Sequence, residues 1–396
     1  MASVSFTFGG NYDFNNLVNL SRNGLDSYSG PSDPHAIGFA WNGYFIINDN
    51  GIQDGLGTGF EDAERFDSDP IEPMPIFVNG NDYSINADLS DNTAMVNLQG
   101  GTFGDVLRGG SGGDTIAGGD GNDIMEGGAE ADTFDGGSGS DTVSYEHASG
   151  GVYARLDERT GYQGDAQGDV FTNIENLVGS TSDDSLVGDA SNNTIRSNGG
   201  LDDIGGMGGD DRIVISETPF YVGGGAGKDF LFVSGGGTVS LARGMFEEFE
   251  ATYVRNDTKL DMSAITTGAT VTSQSTAGHH VEITGTSGND SIRAGRGGDT
   301  IEGSTGNDKL IAGLGDDTFR FETGFGRDVV YKFSAGSDTF DVSALVDSFD
   351  EIKISQVHGG VNTLITFKGE GSGNKIILRD VDAASLHADD FGFLSI

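Results

Sequence analysis

Five nine-residue blocks run without a break from Gly100: GGTFGDVLR, GGSGGDTIA, GGDGNDIME, GGAEADTFD and GGSGSDTVS. Asp holds the sixth place of each, as Asp105, Asp114, Asp123, Asp132 and Asp141, and an apolar residue holds the eighth, as Leu107, Ile116, Met125, Phe134 and Val143. A short fixed period over consecutive copies marks a solenoid, in which each repeat buries its apolar side only against its neighbours. A looser set, GSTSDDSLV, GDASNNTIR, SNGGLDDIG and GMGGDDRIV, begins at Gly179 and places Asp184, Asn193, Asp202 and Asp211 sixth. A third, GTSGNDSIR, AGRGGDTIE, GSTGNDKLI and AGLGDDTFR, begins at Gly285 and places Asp290, Asp299, Asp308 and Asp317 there.

Each nonapeptide has two halves with different physics. Glycine tolerates positive φ and close backbone approach, so the first six residues predict a tight turn with converging carbonyls. The last three predict a short strand whose one apolar side chain points inward. Two nonapeptides then make one coil, and coils stack about 4.8 Å apart. Each sixth-place side chain would face its counterpart one coil on: Asp105 with Asp123, Asp123 with Asp141, Asp114 with Asp132, Asp184 with Asp202, Asn193 with Asp211, Asp290 with Asp308, and Asp299 with Asp317. Donors that are all oxygen, several of them backbone carbonyls, suit calcium. The spacing therefore predicts several calcium ions, one in each of these clefts, with the Asn193 cleft the weakest.

The ion is needed energetically. Burying one aliphatic side chain contributes about 1.5–3 kcal/mol, whereas ordering the backbone of each residue costs about 1–2 kcal/mol. One core side chain in nine residues does not offset that cost, and facing carboxylates repel. The cation-free chain is expected to be largely unfolded, with calcium binding and folding a single event.

Charge and composition narrow the partners. The 396 residues include 62 acidic against 21 basic, a formal net charge of −41, which argues against nucleic acid and anionic membrane surfaces, since both require a basic patch. Twenty-five Phe and ten Tyr are too many aromatics for a disordered acidic tail. With no cysteine there is no disulfide, thiolate site or cysteine nucleophile. No Lys or Arg precedes an apolar core in the first twenty residues, and no apolar run reaches membrane-spanning length. The reading is no cleaved N-terminal leader and no membrane insertion, leaving a cytosolic protein or export by a route that reads another signal.

The blocks resemble the RTX (repeats-in-toxin) nonapeptide GGxGxDxUx, over roughly residues 100–345. The resemblance implies a secreted protein, extracellular or at the cell surface, exported unfolded through type I secretion machinery and folded by external calcium. Residues 324–345, GFGRDVVYKFSAGSDTFDVSAL, are similar to the segment that closes such β-rolls and carry over Asp328, Gly336, Asp338 and Asp341, with Asp338 taken as a further calcium ligand. Lys332 stands where that segment usually has Asp. The closing stretch LHADDFGFLSI is acidic then apolar, as many type I signals are.

The expected fold is all-β: a parallel β-roll or β-solenoid with a small N-terminal antiparallel β domain. Residues 1–98 form the N-terminal domain, in which Asn42-Gly43 between FAW and YFII reads as a hairpin turn, with a second Asn-Gly at 79–80 and Trp41 in the core. Blocks follow at 99–144, 179–214 and 285–320, separated by irregular β coils at 145–178 and by irregular coils or an inserted domain at 215–284, where Phe246, Phe249 and Tyr253 are candidate core residues. Residues 321–396 are the C-terminal cap and export signal.

No catalytic site emerges, and the chain is read as a non-enzyme. HExxH is absent. The elbow-like Gly109-Gly110-Ser111-Gly112-Gly113 lies inside a repeat, and His279-His280 reads as a surface pair. The leading functional reading is a structural or adhesive component of a cell surface or matrix, a surface-layer or filament subunit, with calcium, self-association or cell-surface polysaccharide as partners. The alternatives are a secreted carbohydrate-binding protein, with Tyr44 or Phe60 as sugar platforms, and a polysaccharide-modifying enzyme.

Overall fold

The computed structural model describes residues 84–393 apart from 91, 92, 94 and 358, and ahead of them the backbone of three strands, Ser3–Thr7, Phe45–Ile47 and Ile76–Asn79. The chain divides into two compact units, Met1–Ile195 and Arg196–Ile396.

In the first unit the nonapeptide alternates between two parallel sheets. Strand Val106–Gly110 pairs with Ile124–Gly128, opposing Leu107 to Met125, and that strand pairs with Thr142–Ser144, opposing Met125 to Val143. On the other sheet Thr115–Asp120 pairs with Thr133–Ser138, opposing Ile116 to Phe134. The eighth-place residues Leu107, Ile116, Met125, Phe134 and Val143 are all fully buried. They point inward because a strand turns successive side chains to opposite faces, and one apolar residue per half-coil is all that the narrow interior admits.

Residues 145–178 still supply rungs, after a detour. An antiparallel hairpin, Tyr153–Arg155 with Thr160–Gln163, stands between Thr142–Ser144 and the next rungs. Val170–Thr172 then pairs in parallel with Thr133–Ser138, with Phe171 6.0 Å from Phe134, and Asn176–Val178 pairs with Thr142–Ser144. The hairpin turn at 42–43, Trp41 and Gly80 lie outside the described residues. The three strands described ahead of residue 84 pair in parallel, Phe45–Ile47 with Ile76–Asn79 and Ser3–Thr7 with Ser84–Asp88, and so extend the same two sheets.

In the second unit one parallel sheet stacks Arg212–Ile215, Phe230–Val233, Ala251–Val254, Thr270–Ser273, Ser291–Arg293, Lys309–Ile311 and Arg327–Tyr331. Its partner stacks Thr238–Ala242, Lys259–Ala264, Glu282–Thr284, Thr300–Glu302, Thr318–Arg320, Thr339–Asp341 and Phe391–Gly392. The strands of 215–284 therefore lie in the ladder itself. Tyr253 belongs to a rung of this sheet, and Phe246, which stacks on Phe249 at 5.1 Å, begins a short strand paired in parallel with Tyr221–Gly223.

The last coils replace single aliphatics by rings: Phe333 stacks on Phe340 at 4.3 Å, and Phe340 lies 5.5 Å from Phe391. An antiparallel meander, Ile352–Val357, Asn362–Phe367 and Lys375–Leu378, adds to the edge of the first sheet and covers backbone groups that would otherwise be unpaired. Within LHADDFGFLSI, residues Phe391 and Gly392 form the last described rung of the second sheet. Among the described residues no helix is long and apolar enough to cross a membrane.

Candidate metal centre

The turns carry the sixth-place residues to the edges of the sheets, where all fourteen side chains singled out in the sequence are buried: Asp105, Asp114, Asp123, Asp132, Asp141, Asp184, Asn193, Asp202, Asp211, Asp290, Asp299, Asp308, Asp317 and Asp338. Five of the seven expected pairs are joined by one repeated bond, in which the backbone N–H of one aspartate donates to Oδ1 of the aspartate one coil on: Asp105 to Asp123 at 2.7 Å, Asp123 to Asp141 at 2.8 Å, Asp114 to Asp132 at 2.6 Å, Asp290 to Asp308 at 2.8 Å, and Asp299 to Asp317 at 2.9 Å.

The columns also contain acids outside that set. Asp132 donates to Asp169 at 2.8 Å, Asp141 to Glu175 at 2.9 Å, Asp211 to Asp229 at 2.8 Å, and Asp308 to Asp328 at 2.9 Å. Asp229 donates in turn to Glu250; Asp338, of the expected set, accepts from Asp317 at 3.0 Å, and Asp390 accepts from the Gly336 N–H at 2.7 Å. Asp229 was open to detection, because residues 224–232 read GGAGKDFLF, a complete nonapeptide one coil after GMGGDDRIV. Asp169 had a fainter signal in GDAQGDVFT at 164–172. Glu175, Glu250 and Asp390 had none, since each reaches its column only through coils of irregular length. Asp341, carried over by resemblance, stands elsewhere: it accepts the Ser343 hydroxyl at 2.7 Å and pairs with Arg320 at 3.2 Å. Against the effect of burial, those bonds hold its carboxyl below the usual carboxylate range. Lys332, in the same segment, is exposed at φ 60°.

Two forms of the turn recur. Around Asp105, Asp114, Asp299 and Asp317, the second-place N–H donates to the aspartate's Oδ2, at 2.8 Å from Gly101 and Gly110 and 2.7 Å from Gly295 and Gly313. Around Asp123, Asp132 and Asp141 the second-place glycine takes positive φ, 106° at Gly119, 112° at Gly128 and 93° at Gly137. That peptide is turned over, and Oδ2 of each aspartate is buried with no hydrogen-bond partner. Asp229, Asp308 and Asp328 repeat this second form, with Gly225 at 101°, Ser304 at 68° and Gly324 at 86°. A buried carboxylate oxygen left unpaired costs several kcal/mol in order of magnitude unless a cation meets it.

Carbonyls converge on the same places. A methyl group at Gly100 would sit 2.2 Å from Asp105 Oδ2 and 2.1 Å from the Gly118 carbonyl; one at Gly118 would sit 2.1 Å from Asp123 Oδ2 and 2.8 Å from the Gly136 carbonyl. At Gly100 and Gly118 the oxygens gathered around the first place leave no room for a side chain, whereas Ser197, Ala294 and Ala312 hold that place in other turns. Among the described residues no three His, Asp or Glu side chains cluster; the donor set is one carboxylate per turn plus main-chain oxygen.

Electrostatics agree. Burial pushes Asp114 and Asp123 up to about 6 and Asp308 to about 7. Asp132 and Asp328 rise to about 8, through burial first and then the neighbouring carboxylates Asp169 and Asp308 respectively. Stacked carboxylates of this kind demand positive charge or protons.

Some ends are closed by protein hydroxyls. Tyr145 donates to Asp169 Oδ2 at 2.6 Å, Ser275 to Asp299 Oδ2 at 2.9 Å, and Ser180 to Asp184 Oδ1 at 2.9 Å. Asn193 bonds at both ends of its amide, accepting from the Asp189 N–H and donating to the Glu175 carbonyl, each at 2.8 Å. Elsewhere, His279 and His280 are exposed beside Asp257. Ser111 lies in a turn between two strands, without the strand–turn–helix setting of a hydrolase nucleophile.

The RTX calcium-binding nonapeptide repeat family matches at residues 99–133, 108–143, 178–213 and 284–319. No curated protein matches the chain as a relative. Similar solved structures include two subunits of the Azotobacter vinelandii mannuronan C5-epimerase. One is 26% identical over 29% of this chain and 78% of that one, with a TM-score of 0.22; the other is 24% identical over 33% and 95%, with a TM-score of 0.26. The extracellular lipase LipA of Serratia marcescens is 14% identical over 81% of this chain and 45% of its own, with a TM-score of 0.21.

Proposed function

Because this chain carries RTX calcium-binding repeats, we propose that calcium is its folding switch and that the folded solenoid serves outside the cell as a structural or adhesive component rather than as an enzyme. The observation that carries the first half is the set of buried, unpartnered Oδ2 atoms on Asp123, Asp132, Asp141, Asp229, Asp308 and Asp328. These residues, with the other column aspartates and the carbonyls facing them, would hold the ions. Calcium supplies the positive charge and the demand for six to eight oxygen ligands that such a donor set satisfies. The chain's own part is to bring the carboxylates into line through the N–H to Oδ1 bonds and to keep first-place glycines free of side chains.

The second half rests on content. Among the described residues nearly every strand is a rung, and the sites are distributed along the ladder instead of gathered at one cleft. Secretion by a type I route, self-association and surface attachment belong to the same proposal. The sugar platforms suggested at Tyr44 and Phe60 lie outside the described residues.

Circular dichroism with and without EGTA tests the switch: strand signal should appear cooperatively on adding calcium and vanish on chelation, and a fully folded calcium-free chain would refute it. Light scattering and negative-stain microscopy after calcium addition test the structural role, which predicts ordered sheets or fibres; a persistent monomer would remove it.

A further inference from the structure

Charge is segregated on the second unit in a way that the calcium columns do not use. On the outward side of the sheet that begins at Arg212–Ile215, two rows run across successive rungs. One holds Arg212, Phe230, Ala251, Thr270, Ser291 and Lys309; the other holds Phe232, Tyr253, Thr272, Arg293, Ile311 and Tyr331. Neither contains a carboxylate, in a chain with 62 of them. The opposite sheet presents Asp261, Glu282, Glu302 and Asp341, and its basic residues are neutralised there: Lys259 pairs with Glu282 at 2.8 Å, and Arg320 with Glu282 and Asp341 at 3.2 Å each.

The arginines of the first face have no such partners. Among the described residues, Arg196, Arg212, Arg255 and Arg293 take part in no ion pair. The Arg212 guanidinium lies 3.5 Å over the Phe232 ring, Arg255 lies 5.6 Å from the same ring, and Tyr253 stacks on it at 4.8 Å. Further along, Lys309 lies 5.5 Å over Tyr331. Burial, then repulsion from Arg255 and Arg196, makes the Arg212 charge harder to hold. Like charges gathered without a counter-ion on an otherwise acidic protein are destabilising unless an anion completes them.

We propose that this face binds an acidic polysaccharide, a chain of uronate sugars lying along the rungs. Guanidinium forks match carboxylates in a bidentate manner, and aromatic rings present flat apolar surface to the C–H faces of pyranoses. The rows extend over six rungs, roughly 24 Å at the rung spacing, so a linear ligand with one charge per ring fits better than a compact anion. Nucleic acid fits less well, because its dense phosphate charge meets the −41 charge of the whole chain. A second copy would have to set its own acidic face, where Glu282 and Asp341 are already paired with Lys259 and Arg320, against these arginines, and the dimer outcome of the test below decides that case. The inference requires the calcium-folded solenoid but not its role as a structural subunit.

The test is titration of the full chain in calcium with polygalacturonate too short to gel, beside its methyl-esterified form and single-stranded DNA, with ellipticity recorded on each sample. Binding should be to the uronate and not to the ester. It should weaken by about tenfold or more in R212E/R255E, as expected for the loss of charge-assisted bonds, and severalfold in Y253A, with ellipticity unchanged. Lost ellipticity in the double variant would shift the decision to Y253A and to the ester control. Absence of uronate binding by the folded chain, equal binding of ester or DNA, or a dimer abolished by R212E/R255E would each overturn the assignment, and loss of calcium-dependent ellipticity in the unaltered chain would instead refute the folding switch.

Discussion

Met207 occupies the second place of its nonapeptide at φ 76°, where Gly119, Gly128 and Gly137 take similar positive angles without a Cβ. A left-handed non-glycine residue costs about 1–2 kcal/mol, and glycine gives back about 0.5–1 kcal/mol through the unfolded chain. Met207→Gly should therefore stabilise the calcium-saturated protein by roughly 0.5–1 kcal/mol net, read as a raised melting temperature. Asp229→Asn and Asp341→Asn provide a paired test of the columns. The first should lower the number or affinity of bound calcium ions in isothermal titration, because Asp229 is buried in line with Asp211; the second should leave both unchanged. Most of the column was legible at this scale because turn, ligand and core residue all fall within nine consecutive positions. Glu175 was not, since its partner Asp141 lies across the 153–163 hairpin and a local period does not report such a contact.

At the scale of the turn and its strand, glycines of one composition do different things. At Gly118 an added methyl group would meet Asp123 Oδ2 at 2.1 Å, whereas at Gly150 it would meet nothing within 4 Å. Gly118→Ala should cost about 2–3 kcal/mol and weaken calcium binding, whereas Gly150→Ala should be neutral or stabilising by up to about 1 kcal/mol; thermal melts at fixed free calcium distinguish them. The three-residue strands and their inward eighth-place residues followed from the repeat alone. Beyond the nonapeptide at 224–232, the coils up to residue 284 did not, because there a threonine, Thr252, occupies a core place beside Leu231 and Val271, and the nine-residue period lapses.

For the whole molecule, acid and calcium should act in the same direction on a chelated chain and in opposite directions on a loaded one. Without calcium the folded form holds protons on Asp132 and Asp328 up to about pH 8 and on Asp114 and Asp123 up to about 6, whereas an unfolded Asp releases them near 3.9. The folded state binds more protons, so its deficit is complete above about pH 8 and is relieved as pH falls toward 4. The EGTA-treated chain should gain strand signal between pH 8 and 5, while the calcium midpoint should rise over the same interval as protons compete for the carboxylates; dichroism titrations at several pH values check both. The 18-residue spacing of the column bonds has a separate consequence, for ancestry. Removal of one whole coil, such as residues 109–126, leaves every later strand on its own sheet and every later carboxylate in its own column, whereas removal of nine residues exchanges the two sheets for everything downstream. Lineages of such a protein should therefore grow and shrink in whole coils, with length differences between relatives falling on multiples of that unit wherever the repeat is strict.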